Sequence, residues 1–251
     1  LLGMVTLAGP DILVRRALNA IRRATDDTRR ETEVTWQLAW ARRYLRMVTS
    51  VMGMGLDISI PHLWWRGNYI IVINHRNVVD HLVAAQAFKE IGLRDPRWVI
   101  KEQMRRAPIL GGSLERAGFA FVSRSRDSAD LNRIAAMAKR AREANVSVAL
   151  YPEGTRFTGT PRLGSPYTMV REPKVGGFAT LCKELPDCKV LVICIDWGEL
   201  RDARTMWDGS AYVDRLVKVS VWEDGNPGVD RAPELLRKIW RDMDRKLTQK
   251  V

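Results

Sequence analysis

Apolar residues follow two different spacings along this chain, and the spacing predicts which segments form strands and which form helices. From about residue 56 onward, short β-branched runs such as "NYIIVIN" are typical of strands that are buried on both faces. Between them, stretches such as "HLVAAQAFKEIG" repeat their apolar residues with a helical period and end at a glycine. Strands that alternate with helices predict an α/β fold with a mostly parallel central sheet flanked by helices.

The sequence of this region predicts seven strands and three helices. The predicted strands are "LDISI", "NYIIVIN", "RWVIKEQ", the end of "GGSLERAGFAFVSR", "VSVALYPEG", "KVLVICIDW" and "LVKVSVWED". The predicted helices are "HLVAAQAFKEIG", "SADLNRIAAMAKRAREAN" with Ser128 or Asp130 as N-cap, and "APELLRKIWRDMDRKLTQK" with Pro233 near its first turn. In such sheets, binding sites form at the carboxyl ends of the strands.

The first 55 residues have a different pattern. Residues 11–30 contain three arginine pairs seven residues apart, at Arg15/Arg16, Arg22/Arg23 and Arg29/Arg30. Because seven residues make almost two helical turns, the pairs would lie on one side of a helix and apolar residues on the other. Such a helix either lies on an anionic lipid surface or packs on the protein with a solvated arginine face. Trp36 and Trp40, next to further arginines, favour lipid.

We therefore expect a basic amphipathic, membrane-binding helical segment over residues 1–55 and an α/β domain over residues 56–251. The formal net charge of +12 favours an anionic partner, and without an RNA- or DNA-binding motif we expect a membrane surface rather than nucleic acid. Three cysteines without a short-spaced pair are typical of the reducing cytosol, so the cytoplasmic face of a membrane is expected, the inner membrane if the protein is bacterial. No run of 18 apolar residues occurs, and the absent initiator methionine leaves room for an upstream transmembrane anchor.

Candidate chemistry begins at the end of a predicted strand, in "VINHRNVVDHL". If the chain turns between His75 and Asp80, the carboxylate can accept a hydrogen bond from one imidazole nitrogen and leave the other free to take a proton. That arrangement is a general base with its orienting partner. The alternatives are a polar strand end and a metal site that includes His81, but no HExxH or CxxC motif accompanies these residues.

A second candidate segment, "YPEGTRF", follows a later strand. A glycine after a strand gives a tight turn whose backbone N–H groups can meet an anion, and Arg156 adds a fork that fits phosphate. Glu153 should pair with an arginine or a substrate hydroxyl, because an isolated buried carboxylate is costly. Arg124 ends another strand and supplies a second cation at the same edge. The turn in "YPEGTRF" and the loop after Arg124 could equally be solvated. No GxSxG or GxxxxGK[ST] motif is present, so nucleophilic serine chemistry and nucleotide hydrolysis are not indicated.

Taken in order, "NHRNVVD", "GGSLERAGFAFVSR", "YPEGTRF" and "VLVICIDW" resemble the four motifs of the glycerolipid acyltransferases, the lysophosphatidic acid acyltransferase superfamily. The resemblance covers about residues 60–200, and "EGTRFT" is similar to a subgroup that acylates lysophospholipids. It departs from the family in two ways. The fourth motif lacks the proline that many members have, and Val192 stands where the subgroup usually has Asp.

The resemblance implies direct acyl transfer from acyl-CoA or acyl carrier protein to a lysophospholipid, without another cofactor or a metal. His75 and Asp80 would be catalytic. The residues expected to bind substrate are Lys101, Arg124, Glu153, Gly154, Thr155 and Arg156, with Lys101 assigned to the oxyanion. The favoured product is phosphatidic acid. The alternatives are another lysophospholipid or lipid alcohol as acceptor, or a membrane-surface binding protein that retains the fold without activity.

Overall fold

The computed structural model describes residues 2–61, 63, 67–93, 96–107, 110–123, 128–198 and 212–249. Its helices are α1 Leu2–Ile21, α2 Asp26–Met52, α3 Asp80–Ile91, α4 Leu110–Arg116, α5 Ser128–Glu143, α6 Val175–Glu184 and α7 Gly228–Thr248, with a 3₁₀ turn at Glu102–Arg106. Its strands are β1 Gly55–Ser59, β2 Tyr69–Ile73, β3 Arg97–Lys101, β4 Ala120–Val122, β5 Val148–Leu150, β6 Lys189–Asp196 and β7 Leu216–Asp224.

The strands form one mostly parallel sheet, which confirms the predicted α/β architecture. Their order across the sheet is β1-β7-β6-β2-β5-β3-β4. The five strands from β6 to β4 are mutually parallel. β7 is antiparallel to β6, and β1 pairs in parallel with β7. The carboxyl ends of β2, β3, β4, β5 and β6 therefore meet at the same edge of the sheet, as the candidate site requires.

Each face of the sheet has its own hydrophobic core. Tyr69, Ile71 and Ile73 of β2 point to one face, where apolar residues of α2, α3 and α4 cover them. The alternate residues, Ile70 and Val72, point to the other face, under α5, α6 and α7. Because both faces are covered, all five residues of β2 are buried, which explains why its sequence is a continuous apolar run.

The N-terminal segment differs from the prediction of one helix through residues 11–30. The first helix ends at Ile21, Arg23 adopts a positive φ of 48°, and Thr25 caps a second helix by accepting a hydrogen bond from the backbone N–H of Thr28. The arginine pairs therefore do not line one helix. The ring of Trp36, predicted to reach lipid, is buried against Ile12.

The two N-terminal helices are attached to the rest of the protein through a buried carboxylate. Glu33 of α2 is 2% exposed and accepts hydrogen bonds from Arg16 of α1 and from Ser113 and Arg116 of α4. These donors lower the pKa of Glu33 against the opposing effect of burial. The same helix packs its apolar face, including Leu38 and Leu45, into the core under the sheet.

Two details of the C-terminal half also differ from the sequence prediction. The last helix begins at Gly228, so Pro233 lies in its second turn rather than its first. The helix Val175–Glu184 was not predicted, because its ten residues are short for a periodicity argument.

Candidate active site

The predicted base and its partner are in contact at the end of β2. His75 Nδ1 lies 2.8 Å from Asp80 Oδ2, with Asp80 at the first turn of α3. The Asp80 side chain is fully buried, whereas that of His75 is 20% exposed. Since Asp80 engages Nδ1, the geometry leaves Nε2 as the nitrogen that can take a proton from a substrate.

Asp80 is held by more donors than the sequence indicated. Its Oδ2 also accepts hydrogen bonds from the backbone N–H groups of Arg76 and Asn77, at 2.7 and 2.8 Å. Its Oδ1 accepts one from the indole N–H of Trp197, at 2.7 Å. Three hydrogen bonds besides the one with His75 fix the orientation of this carboxylate. The backbone of the turn between His75 and Asp80 thus binds the carboxylate of Asp80.

Aromatic rings fix the face of the imidazole. Tyr151 stacks on His75 with a centroid distance of 4.4 Å, and Trp98 of β3 stacks on Tyr151 at 5.4 Å. The Tyr151 hydroxyl is buried without a hydrogen-bond partner among the described residues, and burial raises its pKa well above the usual range. In this environment Tyr151 acts as a packing surface for His75 rather than as an acid or base.

The segment Tyr151–Phe157 also binds the backbone of His75 on both sides. The N–H of His75 donates to Glu153 Oε1 at 2.9 Å, and its carbonyl accepts from the N–H of Phe157 at 2.7 Å. Glu153 Oε2 accepts from the N–H of Arg171 at 3.0 Å. The partners predicted for Glu153, an arginine side chain or a substrate hydroxyl, are therefore replaced by two backbone amides, with the carboxyl only 2% exposed.

Burial dominates the electrostatics of Glu153. It raises the pKa of the carboxyl to about 8, although the hydrogen bonds from His75 and Arg171 act in the opposite direction. A carboxyl with this pKa is largely protonated near neutral pH. Glu153 therefore helps to position His75 without adding a full negative charge beside Asp80.

The remaining predicted substrate residues lie at the same edge of the sheet where they are described. Gly154 adopts a φ of +70°, and its N–H closes a tight turn onto the carbonyl of Tyr151. Thr155 and Arg156 follow in this turn and are partly buried, and partly buried Lys101 ends β3. Arg124 lies outside the described residues.

No group of three His, Cys, Asp or Glu side chains that could hold a metal occurs in the described part of the chain. His81 is an exposed residue of α3, and His62 lies outside the described residues.

Comparison with known proteins decides the family. A model of the acyltransferase family matches residues 57–196, more than half of the chain. The chain belongs to the acyltransferase family. The matched region includes His75, Asp80 and the segment Tyr151–Phe157, and the resemblance to the glycerolipid acyltransferase superfamily is thereby confirmed.

Two individual relatives agree with this assignment. An uncharacterized acyltransferase of Schizosaccharomyces pombe is 32% identical over 126 residues, which are 49% of this chain and 43% of that protein. The match thus covers less than half of the length of this curated relative. The crystal structure of the 1-acyl-sn-glycerophosphate (LPA) acyltransferase PlsC from Thermotoga maritima superposes with a TM-score of 0.60, over 85% of this chain and 79% of that one, at 16% identity. At this identity the match supports the fold alone.

Two further side chains, which the motifs did not indicate, hold the His75–Asp80 pair of the acyltransferase in place. Trp197 directly follows β6, which pairs with β2 in parallel, so its place at the neighbouring strand end was a usable signal. Asn74 forms two hydrogen bonds with the backbone of Ile195 and joins the ends of the same strands. Its position immediately before His75 was visible, but nothing in the sequence indicates a backbone partner.

Proposed function

We propose that this acyltransferase transfers an acyl chain from acyl-CoA or acyl carrier protein to the free hydroxyl of 1-acyl-sn-glycerol-3-phosphate, giving phosphatidic acid. The observation that carries the proposal is the His75–Asp80 pair, whose Nε2 remains available at a partly exposed position. A general base of this kind suits an acceptor that must lose a proton as it attacks.

In the proposed reaction, His75 Nε2 takes the proton from the acceptor hydroxyl as its oxygen attacks the thioester carbonyl. The tetrahedral intermediate collapses with cleavage of the C–S bond, and the leaving thiolate receives the proton from Nε2. Asp80 holds the imidazole and stabilises its charge while it carries that proton. Lys101 is proposed to stabilise the oxyanion, because it ends a strand at the same edge of the sheet.

We assign the acceptor phosphate to the turn that follows β5 and to Arg124, which follows β4 in the sequence. Gly154 and Thr155 offer backbone and hydroxyl groups, while Arg156 and Arg124 supply the cations that match a phosphate. The solved structure with the same fold is named an LPA acyltransferase, and we extend that acceptor class to this chain as part of the proposal.

A membrane-surface location for the reaction is supported by α1. Four apolar side chains on this helix are between 42% and 76% exposed: Leu13, Val14, Leu18 and Ile21. Leaving this much apolar surface in water is energetically unfavourable. No helix in the described part of the chain is long and apolar enough to cross a bilayer. We therefore assign α1 an interfacial role on an anionic membrane.

The test is an acyl-transfer assay with purified protein, labelled acyl-CoA or acyl carrier protein, and a panel of lysophospholipids. His75→Ala is expected to lower the rate at least about 100-fold, the usual contribution of a general base. His81→Ala, which removes an exposed histidine from the same region, should retain activity. Equal rates for wild type and His75→Ala would refute the base. Activity with other acceptors but not with 1-acyl-sn-glycerol-3-phosphate would refute the substrate assignment.

A further inference from the structure

A groove with an apolar floor and a basic rim opens between α2, α3 and the start of β1. Its volume is about 280 Å³. Residues from all three elements line it, and Thr49 and Gln86 are its uncharged polar members. The rim carries the basic side chains Arg42, Arg46 and Lys89, and the floor carries Leu45, Met54 and Leu56.

The three cations of the rim have no acidic partner among the described residues, unlike several other surface cations of this protein. Pairs such as Arg15–Asp11, Arg30–Asp27 and Lys238–Asp224 are formed within 4 Å. Within the described ranges, no carboxylate lies at ion-pair distance from the cations of the rim. Glu90, beside Lys89 on α3, instead accepts a hydrogen bond from Gln86 at 2.6 Å.

This arrangement of charge is unfavourable for the protein alone. Arg42 and Arg46 are four residues apart on α2, a spacing at which like charges destabilise a helix. Lys89 faces the same groove from α3 and adds a third positive charge. An anion placed between the three side chains would relieve this repulsion, and guanidinium groups match phosphate especially well.

The apolar floor of the groove favours phosphate compounds that also carry hydrocarbon. Leu45 and Met54 are each 3% exposed and fix the floor from the core, while the partly buried side chain of Leu56 presents the apolar surface. A ligand that fills the groove therefore carries a phosphate at one end and hydrocarbon directly beside it. A free phosphate and the phosphates of coenzyme A share the charge but would leave Leu56 and its neighbours without apolar contact.

We propose that this groove is a binding site for an anionic phospholipid. The phosphate lies between Arg42, Arg46 and Lys89, and the glycerol and first methylene groups cover the apolar floor. The site shares no residue with the His75–Asp80 pair and does not depend on which acceptor the enzyme uses. It would hold a membrane lipid as a ligand, in addition to the contact made by α1.

The probe is dihexanoyl-phosphatidylglycerol below its critical micelle concentration, so that a single lipid and not a membrane surface is measured. Binding to the full chain is followed by NMR on the Gln86 side-chain amide and the methyl groups of the floor. Dihexanoyl-phosphatidylcholine is expected to bind at least tenfold more weakly. Inorganic phosphate or coenzyme A that bound as tightly as the anionic lipid would overturn the lipid assignment.

Charge variants test the location of the site. Arg46→Gln/Lys89→Gln should weaken binding of the anionic lipid at least tenfold. Lys139→Gln/Arg231→Gln removes the same charge from exposed positions on α5 and α7 and should leave the affinity unchanged. Equal losses in both variants, or none in the first, would overturn the site. Because no acyl transfer is measured, the result is independent of the assay for the proposed function.

Discussion

At the scale of single residues, the geometry of the His75–Asp80 pair depends on the groups that hold Asp80 in place. Asp80 is oriented by backbone amides on one oxygen and by Trp197 on the other. Trp197→Phe keeps an aromatic ring but removes the indole donor. We expect kcat to fall about tenfold, since a hydrogen bond to a charged group contributes about 1.5–3 kcal/mol, while the acceptor KM changes little.

The matched control for Trp197→Phe is Trp240→Phe. Trp240 lies on the buried face of α7, and its indole nitrogen has no hydrogen-bond partner among the described residues. This control therefore changes ring size in a core without removing a hydrogen bond. Steady-state kinetics that showed the same loss of kcat in both variants, or an effect of Trp197→Phe on KM alone, would contradict a role in positioning Asp80.

Glu153 should give the stability of the fold a distinctive pH dependence. Its pKa is about 8 in the folded protein against an ordinary value of 4.5, so between these values the unfolded chain releases a proton that the folded protein retains. This contribution to the free energy of unfolding is full below about pH 4.5 and is lost as the pH rises toward 8, with a slope of up to about 1.4 kcal/mol per pH unit.

Glu153→Gln removes this titration. The difference in unfolding free energy between wild type and variant, measured with urea at several pH values from 5 to 8, should decrease by several kcal/mol as the pH rises. The amide also loses a backbone hydrogen bond, but that cost does not vary with pH. A difference that stayed constant across the range would show that Glu153 is ionised in the folded protein.

At the scale of elements, α1 has the most exposed apolar face among the described helices for which side chains are described. In flotation with phosphatidylcholine/phosphatidylglycerol vesicles, Leu18→Glu/Ile21→Glu should reduce the bound fraction by more than tenfold, because each buried apolar side chain contributes about 1.5–3 kcal/mol. Leu131→Glu/Val229→Glu places the same charges at exposed apolar positions on α5 and α7. Unchanged flotation of the α1 variant, or equal loss in the control, would leave α1 without an interfacial role.

Elements with a strong local signal were predictable, and elements fixed by distant contacts were not. The strand "NYIIVIN" and the helix "HLVAAQAFKEIG" carry their periodicity in the sequence and form as predicted. The break between α1 and α2 depends on the cap at Thr25 and on Glu33, whose partners include Ser113, 80 residues away. A regular arginine spacing therefore concealed a turn that a local cap at Thr25 and the distant contacts of Glu33 together stabilise.

At the scale of the whole molecule, parallel pairing is what made the site predictable. Because β2 and β5 run in the same direction, the segments after them meet, and His75 and Glu153 could be assigned to one edge from the sequence. Which atoms then pair was beyond the sequence. It predicted Glu153 as a ligand for substrate or arginine, whereas strand-end geometry directs its carboxyl to the backbone of His75.

The sheet order has a consequence for how the chain acquires its structure. In the described sheet β1 pairs with β7 alone, and Gly55 lies opposite Leu216. During synthesis β1 therefore cannot pair until β7 has been made. The core beneath α2 stays incomplete until most of the polypeptide exists. Pairing across so many residues is slow because loop closure precedes any reward from contacts. Truncation before β7 should leave β1 without its partner strand, exposing apolar surface to chaperones and proteases.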